Sequence, residues 1–333
     1  HATDTDVASL KTSPSWFTLE TAAVQYLDQA LEDFLARRLG EHLAPQSPMV
    51  TTIINVLNAD RWRAAGHIPN FVLGHSIGEV ASAYTAGLLP IEEAVQTAQL
   101  LGRIGSMCQG AMLHTRLTLV QLDCWSDNKI CIAAVNGAST DNTTSEWVNV
   151  TLCGSAPDVD GWIANDPATQ RLKPPHPRHH PMYLNLPGIQ DGSAFGALPK
   201  WRPNPISDSF LSATVQQVAK LDSAFWRQWL TTRVDFSGAL ERAASLVVGS
   251  CYIIETGAHP VLTPAATRTL RAHGVRVVGS AASMRRRFTG IWEAEHSQLA
   301  AVLSAELDLP CSDASQRNKN PDTGMYYHTN PVQ

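Results

Sequence analysis

The chain has 333 residues, 44% of them apolar and 17% charged, with 21 Gly and 20 Pro; these proportions exclude a disordered or collagen-like chain and suit about two domains, or one large domain with a smaller one inserted. Lys and Arg number 25 against 30 Asp and Glu, a net charge of −5, so no global positive field draws the chain to nucleic acid or an anionic membrane. No run of about 18 uninterrupted apolar residues suggests a membrane span, and the polar residues 1–15 carry no basic or apolar region of an export signal.

The six cysteines are thinly spread with no C-x-x-C pair, which predicts reduced thiols, a cytoplasmic setting and no zinc site. Val24, Leu27, Leu31, Phe34, Leu35 and Leu39 recur at three- and four-residue steps and predict a long helix over residues 16–43. A second helix is expected over 50–65, closed by Gly66. Residues 70–73 read as a short strand that leads through Gly74-His75-Ser76-Ile77-Gly78 into an Ala-rich helix. Another helix should follow Pro90. From 110 to 170 the runs shorten: 118–122, 130–134 and 148–152 read as strands of a small inserted α+β unit. Residues 171–207 read as loop, 208–248 return to helical spacing, and 252–254 and 275–278 suit parallel strands. The end from residue 313 is polar and reads as loosely held.

The segment around Ser76 fits G-x-S-x-G, in which a serine sits on a sharp strand-to-helix turn and glycines flank it because side chains would collide there. Such a turn projects the Ser76 hydroxyl and sets the Ile77 N–H, at a helix N-terminus, where it can stabilise an oxyanion.

The run Gly74-His75-Ser76-Ile77-Gly78-Glu79, with Ala81, Ala83, Ala86-Gly87 and Glu93-Ala94 after it, resembles the acyltransferase domains of polyketide and fatty acid synthases, the malonyl-CoA:ACP transacylase-like superfamily. Further along, Gly110-Ala111-Met112, residues 132–137 (Ile-Ala-Ala-Val-Asn-Gly), residues 226–236 and residues 254–262 (Ile-Glu-Thr-Gly-Ala-His-Pro-Val-Leu) resemble that family's segments in the same order, over about residues 50 to 300. The resemblance implies an α/β fold: an α/β-hydrolase-like large subdomain with a parallel sheet over 1–109 and 176–310, and a ferredoxin-like α+β small subdomain over 110–175. A polar C-terminal tail would occupy 311–333.

A serine hydroxyl needs a general base within hydrogen-bond reach. The cluster Pro175-His176-Pro177-Arg178-His179-His180-Pro181-Met182 stands where the resembling family carries its base, and the family's His-x-Pro setting selects His179, leaves His180 as rival and puts His176 outside. Three close His with Pro between them make a poor metal site. His75 and His259 read as pocket-lining. No Asp is required in such a dyad, because in the family a backbone group orients the imidazole.

Three departures shape the reading. Malonyl-type relatives carry an Arg 25 residues after the nucleophile to grip the extender carboxylate; here that position is Leu101, which leaves a carboxylate without a partner, while Arg103 two residues on should point elsewhere. The family's N-terminal Gly-Gln-Gly, source of the second oxyanion-hole amide, has no match between His1 and Ala65. Trp229 stands at the family's Asn/Gln position, with Gln228 beside it.

The expectation is an acyltransferase of starter-unit type, moving a non-carboxylated acyl group from acyl-CoA or an acyl-carrier protein, a donor that another synthase could deliver, through an acyl-Ser76 ester to the phosphopantetheine thiol of an acyl carrier protein. Ser76 and His179 would be catalytic, Ile77 would serve the oxyanion hole, and His75, Leu101, Gln228, Trp229 and His259 would bind substrate. No metal and no permanently bound cofactor are implied, nor nucleic-acid or membrane partners. Residues 285–287, three arginines, form the one compact basic run that could meet an acidic carrier protein. Alternatives are a malonyl extender-unit acyltransferase, a serine esterase or thioesterase, and a catalytically silent docking domain.

Overall fold

The computed structural model describes residues 10–21, 47–127, 129–138, 147–166, 169–172, 176–196, 198, 209–216, 218, 220–284, 291–307 and 324–328. Most of the first expected helix and the Arg285–Arg287 run lie outside these residues. In chain order come α1 (Trp16–Thr21), α2 (Ser47–Ala64), β1 (Pro69–Gly74), α3 (Gly78–Thr85), α4 (Ile91–Gly105), β2 (Ala111–Thr118), α5 (Leu119–Asp123), β3 (Ile130–Ala138), β4 (Trp147–Gly154), α6 (Ala156–Asn165) and β5 (Gln170–Arg171). They are followed by β6 (Phe210–Leu211), α7 (Ser223–Thr231), β7 (Val234–Asp235), α8 (Phe236–Leu246), β8 (Ser250–Glu255), α9 (Thr263–Ala272), β9 (Arg276–Ala282), α10 (Ile291–Leu307) and β10 (Gly324–His328).

The strands form two five-stranded sheets. The larger, ordered β6-β1-β10-β8-β9, is parallel throughout, as expected of strands connected through helices. The smaller, ordered β5-β2-β4-β3-β7, pairs β2, β3 and β4 antiparallel, and its β2-α5-β3-β4-α6-β5 succession is ferredoxin-like. The molecule is therefore α/β, a hydrolase-like parallel sheet beside a ferredoxin-like one.

Helix α2 is buried almost all round, as befits a helix enclosed between layers. Its polar side chains reach across to the loop after β8: Asn58 Nδ2 donates to the Thr256 carbonyl at 2.9 Å and Thr256 Oγ1 donates to Asn55 Oδ1 at 3.0 Å. On one face of the small sheet, Leu113, Val150 and Leu152 pack with Val159 and Trp162 of α6. The opposite face carries Met112, Ala133 and Cys153, and faces the large sheet.

Two stretches differ from the sequence reading. The expected strand over 118–122 is displaced: the strand ends at Thr118, whose hydroxyl accepts from Gln121 N–H while Gln121 Oε1 accepts from Thr118 N–H, and this capping box opens α5. The expected polar tail over 311–333 contains β10, which runs parallel between β1 and β8, Leu73 opposite Tyr327 and Ile254 opposite Tyr326. The Met-Tyr-Tyr run suits a central strand, and a sheet position between β1 and β8 supplies backbone partners on both sides.

Candidate active site

The turn from β1 into α3 is forced by contact. A side chain at Gly74 would collide with the backbone of Gly78 and Glu79, so only glycine lets strand and helix approach this closely. Ser76 consequently takes φ 54°, a left-handed conformation that costs a non-glycine residue roughly 1–2 kcal/mol. The turn is closed by Gly78 N–H to the His75 carbonyl at 3.0 Å and Glu79 N–H to the Ser76 carbonyl at 2.9 Å. Ile77 caps α3, and its N–H has no acceptor among the described residues.

Ser76 Oγ lies 2.7 Å from Nε2 of His179, both residues being buried. On the other side of the ring, Nδ1–H donates to the Trp229 carbonyl at 2.9 Å, which fixes the tautomer with Nε2 free to accept from the serine. The Trp229 ring meets the imidazole edge-on, centroids 4.7 Å apart. His179 also has a positive φ, 52°. Burial, helped by the nearby His75 and by the Arg178 cation, pushes the imidazole down to about 3. It is neutral at ordinary pH, the state in which a base can accept a proton.

The other histidines are held elsewhere. His180 caps the 3₁₀ turn 181–185, its Nδ1 accepting from Met182 N–H at 2.9 Å. His176 Nδ1 pairs with the Cys108 carbonyl at 2.8 Å. His75, its pKa lowered by burial, donates through Nε2 to Asn136 Oδ1 at 2.7 Å. Asn136 lies on β3, so this bond ties the elbow to the small sheet. No group of three His, Cys, Asp or Glu side chains among the described residues is placed to hold a metal.

Ser76 and His179 open onto a cavity of about 420 Å³ between the sheets, which His75, His259, Asn136, Arg178 and Arg268 also line. The His259 wall is held by Glu255, whose carboxyl accepts from the N–H groups of Val261 (2.6 Å), Leu262 (3.0 Å) and Thr263 (2.8 Å). Three expected substrate contacts fall outside this cavity. Leu101 packs into the apolar core on the inner face of α4 with Ala98 and Ile104, and Gln228 opens onto a separate cavity beside Arg233 and Arg242. Trp229 does not line the cavity either: it backs the imidazole. Sequence reasoning assigned no role to Asn136 or Arg178. The Ala-Ala-Val-Asn strand carried a signal for the first; nothing in the spacing marked the second.

Residues 45–167 match the family described as acyl transferase domain. Among curated proteins, the chain is 29% identical over 266 residues to the pikromycin polyketide synthase component PikAII of Streptomyces venezuelae, covering 77% of this chain and 7% of that one; it thus spans a small part of the curated relatives it matches. Among solved structures, it is similar to the acyltransferase domain from module 8 of the salinomycin polyketide synthase, with a TM-score of 0.64, 24% identity and coverage of 79% of this chain and 62% of the other. It is similar too to a loading acyltransferase from the avermectin modular polyketide synthase, with a TM-score of 0.61, 24% identity and coverage of 76% and 78%. At these identities the likeness to solved structures establishes the fold and leaves the substrate open.

Proposed function

We propose that this protein, an acyltransferase of the malonyl-CoA:ACP transacylase-like superfamily, carries an acyl group from a thioester donor, acyl-CoA or an acyl-carrier protein, through an ester on Ser76 to the phosphopantetheine thiol of an acyl carrier protein. The observation that carries this reading is the Ser76 Oγ to His179 Nε2 contact of 2.7 Å with Nδ1–H tied to a backbone carbonyl. His179 takes the hydroxyl proton as Oγ attacks the thioester carbonyl, and returns a proton to the leaving thiolate. In the second half the same nitrogen deprotonates the carrier's thiol, which attacks the ester and releases Ser76. The N–H of Ile77 meets the oxyanion in both halves. A hydrolase of Ser-His-Asp type is disfavoured because the group on His179 Nδ1 is the Trp229 carbonyl and not a carboxylate.

For the acyl group, Leu101 supports a non-carboxylated starter unit, because α4 offers no cation at that position. A second reading, a malonyl-type acyl group, is favoured by Arg178, a cationic residue that lines the cavity from the loop before the base. Intact-protein mass spectrometry with acetyl, hexanoyl, octanoyl and malonyl thioesters tests the transfer. Wild type should gain an acyl mass that Ser76→Ala and His179→Ala do not, and release it to a phosphopantetheinylated carrier protein. Equal labelling of Ser76→Ala, or release to water alone, overturns it.

A further inference from the structure

Cys131 of β3 and Cys153 of β4 lie directly opposite one another in the antiparallel pairing of the small sheet, so both side chains leave the same face. It is the face toward the large sheet, where Cys153 packs with Met112 and Ala133 and Cys131 joins from the margin. Met112 and Ala133 in turn line the cavity of Ser76. Opposite residues of an antiparallel pair stand about 4.5–5.5 Å apart at Cα, inside the span of about 4.4–6.8 Å that a disulfide bridges. Both thiols are free, Cys153 buried and Cys131 only partly so. An oxidant therefore meets Cys131 first.

What Cys153 touches ties the pair to the base. Its Sγ–H donates to the Arg178 carbonyl at 3.4 Å, and no other donor among the described residues reaches that oxygen. The same carbonyl belongs to the peptide plane that enters His179, and the turn of that plane sets the φ of 52°. A positive φ on a non-glycine residue persists only while its surroundings hold it. The Cys153 thiol is one of the groups that do so.

We propose that Cys131 and Cys153 form a redox modification site, closed to a disulfide by a hydroperoxide, and that closure switches off the Ser76–His179 dyad. In the first step the Cys131 sulfur attacks a peroxide oxygen and the O–O bond breaks. Cys131 becomes a sulfenic acid, and its proton leaves on the departing water or alcohol. The Cys153 sulfur then attacks that of Cys131, the S–O bond breaks, and the hydroxide departs with the Cys153 proton as water. Two thiols are oxidised and one hydroperoxide is reduced. The bridged sulfur has no hydrogen to offer, so the Arg178 carbonyl loses its donor, the peptide plane turns, and His179 Nε2 withdraws from Ser76 Oγ. Burial raises both thiols above their ordinary range, and at Cys131 the Asp127 carboxylate adds to the effect; closure is accordingly slow and answers sustained oxidant. The proposal rests on the dyad and is independent of which acyl group the dyad carries.

For the test, the full chain is exposed to hydrogen peroxide, its remaining thiols are blocked, and unreduced peptide maps are read beside labelling of Ser76 by a fluorophosphonate, which needs only the nucleophile and its base. A cross-link between the Cys131 and Cys153 peptides should accumulate as labelling slows by roughly 10-fold or more, and dithiothreitol should reverse both. Cys131→Ser keeps the Cys153 donor; it should label like wild type and go on doing so after peroxide. Cys153→Ala removes the donor without a bridge and should slow labelling in reducing buffer, whereas Cys153→Ser, which still offers a donor, should not. A bridge to Cys108 instead, a bridge that leaves labelling unchanged, or equal loss of labelling in Cys131→Ser overturns the proposal. So does peroxide that oxidises the exposed Cys124 and leaves the pair as thiols, or a reduced chain whose Ser76 takes no label at all. A Ser76 that accepts the fluorophosphonate under this redox control but no acyl thioester sinks the transfer reading and leaves the switch standing.

Discussion

Two buried titratable groups beside the nucleophile's turn, His179 against Ser76 and Glu79 three residues after it, respond to pH in opposite senses. The His179 imidazole is held at about 3, against an ordinary 6.5. Between those values the unfolded chain binds the proton that the folded one refuses, so this group makes stability fall as pH drops through the window. The base nevertheless stays neutral, and we expect the acylation rate from single-turnover kinetics to stay level from pH 7.5 down to about 5; a midpoint near 6.5 would contradict it. Glu79 is raised to about 7, from an ordinary 4.5, by burial that its bonds from Ser212 (2.6 Å) and Thr214 (2.5 Å) only partly offset. Here the folded chain holds a proton that the unfolded one releases, so this contribution is full below 4.5 and is lost as pH rises to 7. Glu79→Gln, always neutral, should match wild type in Tm at pH 5 and exceed it at pH 7.5, by thermal unfolding. A difference that does not change with pH would sink the assignment. At this scale the sequence was informative about residue types and silent about environments: spacing cannot distinguish His179 from His180, because the distinction lies in a positive φ and in which backbone groups each ring meets.

Among the elements, the elbow was the most legible, since the steric need for Gly74 is local to the turn. The loop after β8 was legible as a motif but not as a mechanism, because three N–H groups converging on Glu255 is a tertiary fact. Removing that acceptor in Glu255→Ala leaves buried donors unpaired and should cost about 2–3 kcal/mol in urea unfolding, with KM rising more than kcat falls, since His259 belongs to the cavity wall and not to the dyad. A Gly74→Ala chain should be destabilised by roughly 1–3 kcal/mol, and unchanged stability would show that the turn relaxes. The end of β2 escaped because the apolar period runs on into α5; only the reciprocal bonds of Thr118 and Gln121 mark the boundary.

For the whole molecule, the α/β class and the two-sheet plan follow from short apolar runs alternating with helical ones, all of them local signals. The place of β10 does not, for its partners Leu73 and Ile254 lie far away along the chain and a five-residue run carries no record of them. Tyr326→Pro removes a donor from a central strand and should lower Tm by roughly 5 °C or more, read by differential scanning fluorimetry; an unchanged Tm would mean the sheet does not depend on that strand. The short strand β7 bears on motion. It leaves α7 and enters α8, yet pairs with β3 of the small sheet, Ala134 opposite Val234, and Ala134 shares a core with Leu73, Phe236 and Ile253. The two sheets are thereby stitched at their common border, with His75 and Asn136 as a further tie. A clamshell opening would have to break this border, so the cleft keeps its width through turnover, and acyl groups must thread a standing aperture instead of being enclosed by a closing jaw.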